Sequence, residues 1–204
     1  MSADISERER VEVCVLALLA AAETMRLEIT RTKMVKLLYL ADVQSVEHDR
    51  ITGSGVAWRW MDYGPYDDVL REVEDDLVKR GLVRRETSPR EEGGERNVLT
   101  AVDTSITVPD DFSDHIRTTV AEKGDWKIEK LMDYAYETKP MAAASQGDTL
   151  DFTVMGHLTM ADIEESIGKG PAYDPDECTF YASTEDFIEA MWADRGGRPA
   201  DLAL

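Results

Sequence analysis

Residues 82–102 spell a β-hairpin, and that hairpin follows directly on a helix that stops at Gly81. Leu82-Val83-Arg84-Arg85-Glu86-Thr87 and Asn97-Val98-Leu99-Thr100-Ala101-Val102 have strand character. The charged segment Ser88–Arg96 between them carries the glycines a turn requires. Upstream, Tyr66, Val69, Leu70, Val73 and Leu77 make a helical stripe, and Gly81 is its C-terminal stop. Pro65 is expected at the first position of that helix, where a missing amide hydrogen costs nothing.

Two further helices precede this unit. Ser6-Glu7-Arg8-Glu9 is a capping box, and Val11, Val15, Leu18, Leu19 and Ala22 recur at helical spacing, predicting a helix over 7–25. Thr30 or Thr32 starts a second helix. Its residues Lys33 to Asp42 are apolar on more than one face, as in a central helix touched from several sides. Val56–Met61 reads as a short aromatic strand. The order helix, helix, strand, helix, strand, strand is that of a winged helix.

The second half is more helical, with helices expected at 111–123, 126–137 (closed by Lys139-Pro140), 160–168 and 184–194. The expected fold class is therefore α+β, mainly helical. A winged-helix-like body over 7–102 carries a helical extension over 103–195 and a frayed tail over 196–204, all in one compact domain, 1–204.

Charge narrows the partners. The chain has a net charge of −19, from 42 acidic against 23 basic residues, and most of the excess acid falls after residue 101. Such a surface repels polyanions and attracts basic partners. No apolar run reaches membrane-spanning length, and the N-terminus lacks a secretory pattern, so no membrane association is expected. The cysteines, Cys14 and Cys178, lie far apart. Cys14 sits in an apolar helical pattern, so a buried thiol and a cytoplasmic location are expected.

A search for reactive groupings returns nothing specific. His48, His115 and His157 stand alone, and neither cysteine has a ligand at metal-binding spacing. Neither a metal nor a cofactor is expected, and the chain reads as non-catalytic. Nucleic-acid binding follows from the winged-helix order, and Arg84, Arg85, Arg90 and Arg96 are the residues that would touch phosphates. Residues 66–80, the reading helix in that case, carry six acidic side chains against three basic ones. A helix that must approach a polyanion is poorly served by that balance. DNA is therefore the second reading, behind a winged helix used to bind protein.

The aromatic cluster Trp58, Trp60, Tyr63 and Tyr66, around the Gly64-Pro65 turn, is the candidate contact surface for a partner protein. On a strand Trp58 and Trp60 point to one face. That face is either core or a partly exposed anchor of the kind that dominates interfaces.

Lys36-Leu37-Leu38-Tyr39-Leu40-Ala41-Asp42, glycines at 53 and 55, Ala57-Trp58, Tyr63-Gly64-Pro65-Tyr66 and a helix ending near Gly81 together resemble the Panacea (SocA-like) antitoxin domain. Lys139-Pro140 and Leu150-Asp151-Phe152 are compatible with its C-terminal part. The resemblance covers roughly residues 10–155. It departs from the family pattern at Tyr66, where Val is common, and at Leu40, which replaces a frequent second Tyr. It implies a chaperone-like antitoxin that binds and neutralises a toxin encoded beside it.

The net charge of −19 leads to a first prediction. Screening relieves repulsion among carboxylates, so the melting temperature should rise from low to molar KCl. Thermal melts across that range check it, and a flat or falling curve would refute it.

Overall fold

A computed structural model describes residues 6–49, 51–89, 95–106, 108 and 111–156. The first helix, α1 (Glu7–Thr24), begins with the capping box: the Glu9 amide donates to Ser6 Oγ, and Glu9 Oε2 accepts from the Ser6 amide at 3.0 Å. A short strand, β1 (Ile29–Thr30), leads into α2 (Arg31–Asp49), whose first turn is capped by Thr30 Oγ1 accepting from the Lys33 amide. Twelve of the nineteen α2 residues are buried, so α2 is the central helix.

A small hairpin, β2 (Arg59–Met61) and β3 (Gly64–Tyr66), follows, then α3 (Asp68–Lys79) and the long hairpin β4 (Val83–Pro89) and β5 (Glu95–Ala101). Strand β5 pairs with β4 from Val83↔Ala101 to Pro89↔Glu95, and on its other edge with β1 at Ile29↔Leu99 and Thr30↔Val98. All pairings are antiparallel and the sheet order is β1-β5-β4. Helix, strand, helix, helix and two strands in that sheet order make the winged-helix arrangement. Its first strand is β1, between α1 and α2, and not the segment 56–61 that the sequence order put in that place, while β2 and β3 form a separate sheet in the link between α2 and α3. Helices α4 (Phe112–Lys123), α5 (Ile128–Tyr136) and α6 (Lys139–Ala143) and a 3₁₀ turn (Phe152–Met155) complete the described chain, and α4 packs on both α1 and α2. The fold is α+β and mainly helical, as the sequence indicates. No helix among the described residues is long and apolar enough to cross a membrane. Cys14 is a buried thiol whose Sγ lies 3.9 Å from the Gly53 carbonyl.

Three expectations need correction. Pro65 does not open α3: Asp67 caps that helix, its carboxylate accepting from the Val69 amide at 2.8 Å, and Pro65 lies in β3 opposite Trp60. The segment 56–61 is not a lone strand, since only its last three residues join a ladder. Lys139-Pro140 does not merely close a helix; Pro140 sits in the first turn of α6. The helices expected at 160–168 and 184–194, the tail, His157 and Cys178 lie outside the described residues.

One buried carboxylate organises the centre. Asp42, fully buried on α2, takes four hydrogen bonds: from the Gly53 amide (2.7 Å) and Ser54 amide (2.9 Å) at Oδ1, and from the Ser54 hydroxyl and Trp58 Nε1 (2.7 Å) at Oδ2. The Ser54 hydroxyl in turn accepts from the Val56 amide. Burial pushes the Asp42 carboxyl up from its ordinary value, and these donors pull it part of the way back. Gly53 must be glycine, because a Cβ there would lie 2.0 Å from the Phe112 ring.

Asp42→Asn would aim an amide N–H₂ either at the indole N–H and Ser54 hydroxyl or at the Gly53 and Ser54 amides, and would discard the charge that strengthens all four bonds. Breaking a buried, charge-assisted network of this kind costs about 3–5 kcal/mol. Urea unfolding of Asp42→Asn should show that loss as a lower midpoint at unchanged slope.

Candidate functional site

The hairpin β2–β3 is the most exposed aromatic feature of the body, and three attachments hold it. Backbone bonds run from Trp60 N to Asp148 O, Gly147 N to Trp60 O and Leu150 N to Trp58 O, so residues 147–150 extend the ladder beyond β2. Trp58, 1% exposed, donates its indole N–H to Asp42 and packs edge-on against Tyr39. Lys36 Nζ donates to the Pro65 carbonyl at 3.0 Å. Pro65 faces Trp60 across the ladder, and Trp60 spends its own N–H and C=O on Asp148 and Gly147, so no bond to a Pro65 amide hydrogen is missed.

The turn of this hairpin, Asp62-Tyr63, is followed by Gly64 at φ +88°. Glycine is needed twice over there. The left-handed backbone strains any other residue, and a Cβ would lie 3.3 Å from Lys36 Nζ and 3.4 Å from the Tyr136 ring. Tyr63 is 73% exposed and Met61 42% exposed, side by side at the tip.

Beneath that tip is a cleft of about 290 Å³. The start of α2 supplies one wall with Arg31, Thr32, Val35 and Lys36. The hairpin supplies the other with Met61, Asp62, Tyr63, Gly64 and Tyr66. Arg31 is neutralised: it pairs with Glu74 Oε2 at 2.5 Å and Oε1 at 2.8 Å. Asp62 accepts from Gln146 Nε2 at 2.9 Å. Lys36, 3% exposed, has the Pro65 carbonyl as its hydrogen-bond acceptor and no carboxylate partner among the described residues. Burial without a counter-charge pushes its ammonium down from 10.5 to about 8.

The expected contact residues therefore separate. Tyr63 is at the surface, Tyr66 is half-buried in the cleft wall, and Gly64 and Pro65 are buried supports. Trp60 is half-buried, its ring 5.9 Å from that of Tyr136. Trp58 as a partner contact is corrected: it belongs to the core. Met61, Lys36 and Asp42 were not singled out as site residues from sequence. The signal for the last two was a charged residue at each end of the apolar run Leu37–Ala41.

The basic residues weighed for DNA also separate. Arg85 is taken up by Glu74, itself 1% exposed, at 3.0 Å and by Asp75 at 2.5 Å. Arg96 pairs with Glu28. Arg84 is exposed with no ion-pair partner among the described residues, and Arg90 lies outside them. The outer face of α3 presents Asp68, Glu72 and Asp75 beside Arg71 and Lys79.

His48 and His115, isolated in sequence, stack at 5.8 Å, and His115 Nε2 lies 2.5 Å from Asp49 Oδ2. Among the described residues no group of three His, Cys, Asp or Glu could hold a metal ion.

The fold and cleft define a winged-helix-type protein with an inserted, anchored hairpin. Comparison with protein-family models, curated proteins and solved structures finds no match for this chain.

The buried lysine makes stability depend on pH. Unfolded, Lys36 keeps its proton to about pH 10.5; folded, it releases it near 8. Between those values the unfolded chain binds more protons, so stability rises with pH, and below 8 the full penalty, on the order of 3 kcal/mol, is present. Above pH 10 the effect is opposed by Tyr39, whose phenol burial pushes up. Chemical unfolding of the wild type from pH 7.5 to 10 should therefore show a gain that Lys36→Met lacks.

Proposed function

We propose that this chain is a non-catalytic protein-binding module acting in the cytoplasm, a chaperone-like antitoxin that neutralises a toxin by direct contact. One observation carries the reading: Tyr63 and Met61 stand exposed on a hairpin tip whose stem is fixed by a backbone ladder, by Asp42 and by Lys36. A large side chain held out from a rigid support loses little entropy on binding, which is the physical profile of a hot spot.

The sequence resemblance to Panacea (SocA-like) domains supports the same reading. The residues that carry it converge in space. Tyr39 bonds Thr138, Phe152 packs 6.0 Å from the Tyr39 ring, Leu150 pairs with Trp58, and Lys36 reaches Pro65. The acidic chain suits a basic toxin.

A DNA-binding regulator is the second reading, favoured by the winged-helix sheet and by the unpaired Arg84. It is disfavoured by the acidic face of α3 and by the pairing of Arg85 with Glu74 and Asp75.

Co-expression with the product of the neighbouring gene tests the proposal. Tyr63→Ala should weaken the complex by at least about 2 kcal/mol, roughly thirtyfold, at an unchanged melting temperature. Full-strength binding by both Tyr63→Ala and Met61→Ala would place the interface elsewhere. A salt-sensitive duplex complex lost in Arg84→Ala would favour the regulator.

A further inference from the structure

The chain carries a net charge of −19, yet one wall of its cleft holds a buried cation, Lys36. Lys36 enters the cleft wall from α2 almost wholly removed from water, with three N–H donors and, among the described residues, one protein acceptor, the Pro65 carbonyl. The other charges near it are accounted for. Arg31 is matched by Glu74, and Asp62 is held by Gln146 and is exposed at the turn. The rest of the lining is Thr32, apolar Val35, Met61 and Gly64, and the rings of Tyr63 and Tyr66. A buried ammonium without a counter-ion is held at a free-energy disadvantage, visible in its descent to about 8. An incoming carboxylate would relieve it by a charge-assisted hydrogen bond in a partly dry site.

We infer that the cleft receives a carboxylate side chain of the partner protein, its oxygen accepting from Lys36 Nζ while its methylene stem lies against Val35, Met61 and Tyr66. This rests on the protein-binding reading above and names the chemistry of the anchor. The volume, about 290 Å³, is at the small end for ligand pockets and suits one side chain with its flanking backbone. A single end-on carboxylate also fits the charge pattern. A second acid beside it would meet Asp62, and the acidic exterior favours basic flanks. An acidic residue set among basic ones is thus the expected anchor sequence.

The probes are two capped peptides, acetyl-Leu-Glu-Lys-amide and acetyl-Leu-Gln-Lys-amide. Each is titrated into the full chain while the Met61 and Gly64 amide signals are followed by NMR. The glutamate peptide should bind about tenfold more tightly, as one added charge-assisted bond allows. In Lys36→Met that advantage should fall below twofold. Equal binding of the two peptides by the wild type overturns the inference without recourse to any variant. An advantage that survives in Lys36→Met also overturns it, because another cation would be responsible. Capture of the neighbouring gene product that depends on Tyr63 but is indifferent to Lys36→Met overturns the carboxylate anchor and leaves the protein-binding reading standing.

Discussion

The loop after α2 and the start of the hairpin depend on Asp42. A carboxylate at the centre of an apolar helix would be ruinous on its own, since isolated burial of an ion costs several kcal/mol even after relaxation. Here four donors from residues 53, 54 and 58 converge on it. The loop after α2 is bound into the core by polar contacts as well as by apolar packing. The same loop is gripped from outside by Arg10, whose Nε donates to the Gly53 carbonyl at 2.6 Å, and is overlaid by Phe112 of α4. The loop that Asp42 holds to α2 thus also meets α1 through Arg10 and α4 through Phe112. Trp58 is placed by the same carboxylate, and Trp58 leads into β2.

A second buried acid, Glu74, ties the elements of the winged-helix framework together. It draws in Arg31 from α2 and Arg85 from β4, so a basic residue of the wing is turned inward toward α3. Hydrogen bonding to Asp75 adds to that hold and pulls the Asp75 carboxyl below its ordinary range. The Arg85 guanidinium is committed to the protein's own helix. Arg31 and Arg85 thus serve as internal cross-links to α3, and the exposed aromatic side chain Tyr63 lies on the inserted hairpin.

Much of the fold was legible because its signals are local. Ser6 and Glu9 sit three residues apart, Gly81 ends a stripe that starts fifteen residues earlier, and β4 and β5 flank a glycine-bearing turn. What escaped the sequence depends on distant partners or on competing local rules. Pro65 fits a helix N-terminus, but Asp67 caps better and Gly64 favours the turn, so the proline fell into β3. Alternation placed Trp58 on a strand face without saying that α2 would cover that face. The donors of Asp42 lie eleven to sixteen residues away and the second edge of β2 is joined by residues 147–150, neither of which periodicity can reveal. For the site, the neighbourhood of Tyr63 and Tyr66 was readable. The cleft under it was not, because α2 and the hairpin meet there only in three dimensions.

The hairpin is fastened at its stem and unencumbered at its tip, and that division has an evolutionary consequence. Tyr63, 73% exposed, lies beyond the ladder that ties 58–60 to 147–150, so its side chain can change without disturbing a core contact. Recognition and foldability are thereby separated along the chain by only a few positions. Selection for a stable fold therefore constrains Trp58 and Gly64 in the stem far more than it constrains Tyr63.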